Sequence, residues 1–163
     1  MLTRRAIAVA LAVLITAGTS AVPARGADVI VDATPLHERG AGILGDVLAV
    51  QIAAEARAAL GGRLPAGTRL VIRLDSVQMS GFVGDSGGGP NSRGGGGSSD
   101  YVSGELLITS ERGEVLARHP QLLALPSSSG GAWYAPENEQ RRVAALARAF
   151  AGWAVRWALA QAR

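Results

Sequence analysis

Gly81-Phe82-Val83-Gly84-Asp85-Ser86-Gly87-Gly88-Gly89-Pro90-Asn91-Ser92-Arg93-Gly94-Gly95-Gly96-Gly97-Ser98-Ser99-Asp100 lies between two strand-like segments, and its reading decides the fold. Nine of these twenty residues are glycine, which costs ordering entropy and buries nothing. Read as a solvent-exposed connector, residues 81–100 leave a strand on each side, joined as antiparallel neighbours. Read as a functional loop, they would need rigid support that glycine does not supply.

Working back from this stretch, residues 69–79 read as the second strand. Leu70, Ile72 and Leu74 alternate with Arg69, Arg73 and Asp75. The apolar parity then switches to Val77 and Met79, which predicts a bulge near Ser76 or burial of both faces. Pro65-Ala66-Gly67 is a turn. Residues 43–60 form the first helix, with Leu48, Ile52, Ala56, Ala59 and Leu60 on one face. Gly61-Gly62 stops it, because glycine reaches the left-handed conformation that closes a helix. Residues 28–33 (DVIVDA) are the first strand, ended by Thr34-Pro35, and residues 36–42 are expected to be a loop.

Working forward, residues 101–110 form the third strand, with Val102, Leu106 and Ile108 of one parity. Glu111-Arg112-Gly113-Glu114 predicts a hairpin turn into a fourth strand at 115–125, interrupted at Pro120. Residues 127–135 (SSSGGAWYA) are a loop. Residues 137–163 are the last helix, where Val143, Leu146, Phe150, Trp153 and Trp157 fall within about 80° of one another. Arg141, Arg148, Arg156 and Arg163 lie opposite, in company with Val155 and Leu159. The element order β-α-β-β-β-α predicts an α+β two-layer sandwich: a mixed four-stranded sheet with both helices on one face. Phe150, Trp153 and Trp157 would lie across that sheet, and its other face would be partly wet or covered by a partner.

The N-terminus reads as an export signal over residues 1–26, followed by one domain over 27–163. Arg4 and Arg5 precede an apolar run of twelve residues, 6–17, too short for the roughly 20 residues of a bilayer span. Thr3-Arg4-Arg5 partly matches a twin-arginine signal but lacks the apolar pair that follows in such signals, so general secretion is favoured. The expected destination is the periplasm or the medium, with membrane contact only before cleavage. The chain has no cysteine. Lipoprotein anchoring, disulfides and thiolate metal sites are therefore excluded. Loss of Arg4, Arg5 and Arg25 with the signal leaves thirteen basic against thirteen acidic residues, so the basic precursor is no argument for nucleic-acid binding.

Gly84-Asp85-Ser86-Gly87-Gly88 resembles the nucleophile segment of chymotrypsin-like serine proteases and fits the G-x-S-x-G elbow of hydrolases. The first resemblance implies a histidine, an aspartate and Ser86 in that order, as His37, Asp75 and Ser86 occur here. It covers about six residues, and the two barrels that family needs exceed this chain. The elbow needs a helix after the serine, with an acid and a histidine downstream. Asp100 and His119 have that order, but the glycines after Ser86 permit no helix. A phosphate loop fails for want of lysine and of either glycine fingerprint. His37-Glu38 and His119 match no metal-ligand spacing, and no cofactor is expected.

Two features remain as a candidate interaction surface. Trp133 and Tyr134 sit in the second loop, either folded onto the core or exposed as anchors. Arg141, Arg148 and Arg156 mark one face of the last helix, solvated or facing an acidic surface. Taken together, the signal, the α+β order, the glycine loop and residues 130–139 (GGAWYAPENE) resemble exported proteins of Gram-negative bacteria that carry no assigned activity. The element order is similar to small periplasmic accessory domains of envelope assembly or transport. The expectation is a non-catalytic exported accessory or binding protein with an envelope protein as partner. The alternatives are a small serine hydrolase centred on Ser86, and a domain binding anionic lipid through the arginine face.

Overall fold

Alternating apolar residues on four successive strands make a sheet whose strands lie side by side in chain order, β1-β2-β3-β4. In the computed structural model, which describes residues 29–80, 98–132 and 134–162, β1 (Val29–Asp32) runs parallel to β2 (Thr68–Gln78). β3 (Ser99–Ser110) is antiparallel to β2 and to β4 (Val115–Pro126). Two long helices, α2 (Gly42–Leu60) and α3 (Asn138–Gln161), pack on one face of the sheet, giving the expected mixed two-layer α+β architecture. The proposed signal segment, Ser86 and its glycine-rich surroundings at 81–97, Trp133 and Arg163 lie outside the described residues.

The parity switch in β2 has the predicted cause. The β2–β3 register shifts between Leu74 and Ser76, leaving Asp75 as the extra residue. Leu70, Ile72 and Leu74 therefore face the helices before the bulge, and Val77 faces them after it, opposite Val102. The bulge lies beside a tight backbone approach at Gly104. A Cβ there would fall well inside van der Waals contact of the Arg73 carbonyl oxygen. Gly104→Ala is accordingly expected to cost about 1–3 kcal/mol of stability, read as a lower urea midpoint at unchanged m-value.

Residues 36–42 are not a plain loop. A one-turn helix, α1 (Thr34–Glu38), follows β1. Pro35 occupies its first turn, where a missing N–H is tolerated, and Leu36 is buried in the core. The Asp32 carboxylate accepts the Thr34 amide at 3.0 Å. Hydrogen bonds from the Thr34 side chain and backbone, together with the charge of Arg73, hold its pKa below the ordinary value despite some desolvation. α2 ends at Gly61 in the left-handed conformation (φ 51°), as the glycine pair predicted. Ala59 departs from the predicted face and is exposed, while Leu48, Ile52, Ala56 and Leu60 are buried.

β4 continues through Pro120, paired opposite Glu105. Among the described residues β4 is the outer strand of the sheet, and an edge position is where a strand tolerates a residue without an N–H. α3 buries Val143, Leu146, Phe150, Ala151, Ala154 and Ala158 against the sheet and α2. Two expectations for this helix need correction. Trp153 is 54% exposed rather than laid across the sheet. Val155 and Leu159, read as apolar intruders on an arginine face, pack into the core. The cause is α2, which adds a second contact side to α3 and widens its buried arc beyond what the sheet alone covers. By length and hydropathy α3 could cross a membrane, but its apolar stripe is occupied by this packing.

Candidate interaction surface

The chain leaves β4 by a single 3-10 turn, Ser127–Gly130, and passes Tyr134 to enter α3. Gly130 has to be glycine because the turn presses against the start of α3. An added Cβ would lie 2.5 Å from the Asn138 carbonyl oxygen and 2.6 Å from Cγ of Arg142. The Asn138 side-chain amide donates to the Gly131 carbonyl at 3.1 Å. This clasp presents Tyr134 at the helix entrance, 76% exposed.

The three arginines have neighbours of their own. Arg141 pairs with Glu137 at 3.1 Å, one turn earlier on the same helix side. Arg148 reaches Glu55 of α2 at 3.5 Å, an ion pair between helices. The guanidinium of Arg156 lies 4.4 Å over the Trp153 ring. At 1.5 Å per residue, Arg141 and Arg156 are about 22 Å apart. Tyr134 and Arg141 therefore share the entrance of α3, Arg148 belongs to the α2 contact, and Arg156 joins an aromatic group near the far end. In that group Trp157 stacks on His119 of β4, with ring centroids 5.7 Å apart.

The hydrolase readings find no support in the described part of their constellations. His37 Nε2 lies 3.2 Å from Asp46, on α2, an ion pair when the imidazole is protonated. Asp75 is the bulge residue, and His119 is held against Trp157. Asp100 is buried in an ion pair with Arg142. Among the described residues, no group of three or more His, Asp or Glu side chains is placed to hold a metal ion.

That Asp100–Arg142 pair is the most heavily bonded polar group of the described chain, and sequence reasoning passed over it. Arg142 is 4% exposed and Asp100 1%. Arg142 Nε donates to Asp100 Oδ2 at 2.7 Å, and its Nη2 donates to Asp100 Oδ1 and, at 2.8 Å, to the Ser80 carbonyl. Asp100 also accepts the Ser80 amide at 3.0 Å, with the Ser127 hydroxyl 3.3 Å away. The Ser127 amide and hydroxyl reach the Ser98 carbonyl at 2.8 and 2.7 Å, and the Ser80 hydroxyl donates to the Ser99 carbonyl at 2.7 Å. The carboxylate hydrogen bond raises the pKa of the Arg142 guanidinium further, against desolvation, so it stays charged. The pair thus ties Ser80 and β3 to α3, while the Ser80 hydroxyl secures Ser99 and Ser127 secures Ser98.

A signal for this pair was present. Asp100 has the parity of Val102, Leu106 and Ile108, and Arg142 lies four residues before Leu146 on the apolar side of α3. Two opposite charges that both point at the core predict each other.

Among the described residues, nothing covers the sheet face away from the helices. Ile30, Val71, Leu107 and Arg118 form one cross-strand row on it. Asp32, Arg73, Glu105 and Pro120 form the next, with ion pairs of 3.8 Å (Arg73–Asp32) and 3.3 Å (Arg118–Glu105). Beyond these lie Ser76, Ser103 and Leu122, then Gln78, Tyr101 and Ala124. Leu122 is 72% exposed and Tyr101 41%. No family model, curated protein or solved structure matches the chain.

Proposed function

We propose that the protein is an exported, non-catalytic accessory protein of the bacterial envelope that works by binding another protein. The observation that carries this reading is the outer sheet face, uncovered among the described residues, where apolar side chains (Ile30, Val71, Leu107, Tyr101 and Leu122) flank a row of paired charge. Such a mixture suits a protein partner, because the apolar side chains supply contact area and the charges fix register. Leu122 and Tyr101 are its natural anchors, being large, exposed and on neighbouring strands. Export rests on the sequence of residues 1–26. The anionic-lipid alternative is less favoured, since Arg141, Arg148 and Arg156 already have Glu137, Glu55 and Trp153 beside them.

A photo-crosslinking residue at Leu122 or Tyr101, introduced in the living cell, is expected to capture one envelope protein reproducibly. The same residue at Arg112, in the β3–β4 turn, should capture none. N-terminal sequencing of the purified protein should begin near residues 25–28. Crosslinks indistinguishable between the sheet face and the turn would overturn the binding reading, and an intact N-terminus in the cytoplasm would overturn export.

A further inference from the structure

Helix α2 is apolar on more sides than its own domain uses. Only Asp46, Gln51, Glu55 and Arg57 of its nineteen residues are polar. Leu48, Ile52, Ala56 and Leu60 are buried on the inner face. A second stripe, Ile43, Val47, Val50, Ala54 and Ala58, runs along the outside at spacings of four, three, four and four residues. Ile43 is 81% exposed and Val50 69%. A surface helix normally carries one apolar stripe and a polar back, so the second stripe asks for a second layer.

Three features give that layer two-fold symmetry. The stripe is centred between Val50 and Gln51, so an antiparallel copy would set Ile43 against Ala58 and Val47 against Ala54 in both directions. One flank of the stripe holds Asp46 and Arg57, eleven residues apart and centred at nearly the same point. In an antiparallel helix pair each flank meets itself, so Asp46 of each copy meets Arg57 of the other. The opposite flank holds Gln51, whose side-chain oxygen is out of solvent and accepts no hydrogen bond. It lines a cleft of about 370 Å³ with Ala54, Glu55, Ala58 and, from α3, Ala144. The two-fold brings the Gln51 side chain of a second copy alongside the mouth of this cleft.

We propose that α2 is the interface of a homodimer, packed antiparallel on α2 of a second copy with the axis at Val50–Gln51. The contact is isologous, so every apolar and charged complement is used twice. The small residues Ala54 and Ala58 let the two helix axes approach within the usual 8–10 Å. This interface is on the helical layer and leaves the outer sheet face free for a different partner.

The absence of cysteine makes the test direct. In the protein purified from its own compartment, Val50→Cys is expected to give a disulfide-linked dimer under mild oxidation, and Gln51→Cys likewise. Ala160→Cys, exposed near the far end of α3, should give none. Sedimentation equilibrium of the unmodified protein should show a dimer at micromolar concentration. Ile43→Asp combined with Val50→Asp should weaken dimerisation roughly a hundredfold or more while far-UV circular dichroism and thermal midpoint are retained. A monomer throughout, a dimer untouched by the double aspartate variant, equal crosslinking at Ala160→Cys, or a different protein or the chain's own N-terminal segment trapped at Val50→Cys would each overturn the proposal.

Discussion

Replacing Asp100 by alanine is expected to lower the unfolding free energy by about 3–5 kcal/mol, a large share of the 5–15 kcal/mol typical of a small domain. The substitution leaves the Arg142 guanidinium buried without its counter-charge and removes the acceptor of the Ser80 amide. Arg142→Ala should cost a similar amount for the converse reason. The double change Asp100→Leu with Arg142→Met should recover much of the loss, because an apolar pair needs no compensation in the interior. Urea unfolding of the four proteins measures these differences. Single losses below about 1 kcal/mol, the range of exposed pairs, would show that the pair is solvated and structurally idle. Arg141→Ala is the internal contrast. Its pair with Glu137 has both side chains more than half exposed, so it should change stability by about 1 kcal/mol or less.

The second large effect is Phe150→Ala, expected to cost about 3–5 kcal/mol, against about 1 kcal/mol or less for Trp153→Ala. Phe150 is fully buried, so its removal leaves a cavity as well as lost transfer energy. Trp153 is more than half exposed, and its main contact among the described residues is the Arg156 guanidinium. Thermal or urea unfolding separates the two variants plainly. Equal costs would mean that Trp153 has a covering surface that the isolated chain does not provide.

These two side chains also mark how far the sequence could be read. A helical wheel puts Phe150 and Trp153 within one stripe and is correct about their angle. It does not say how wide the opposing surface is. Among the described residues the sheet ends at β4, and Trp153 of α3 stays more than half exposed. Patterns that depend only on the local chain were legible: the Asp75 bulge from the parity of β2, the hairpin from Gly113, and the end of α2 from Gly61. α1 was hidden because five residues show no helical period, and Pro35 is ambiguous between ending a strand and starting a helix. Pro120 was read as an interruption because strand order, which alone reveals an edge, cannot be read from spacing. The candidate surface fared unevenly. Tyr134 is exposed, Trp133 lies outside the described residues, and the arginines are divided among three local settings. The Asp100–Arg142 pairing was missed because counting apolar stripes discards charged residues, although their positions within the stripes were what mattered.

The edge formed by β4 has a consequence for how the protein survives at high concentration. Among the described residues no strand pairs with the outer side of this twelve-residue strand, and an open side invites strands of other molecules to add to it, the route by which sheets grow into fibres. Pro120 sits near its middle and offers no N–H, and Arg118 and His119 stand immediately before it. The open side is thereby broken into two short runs, each poor as a template for a foreign strand. The residue that looked like a flaw in the strand acts instead as its guard, keeping molecules that share a crowded compartment from joining through their sheets.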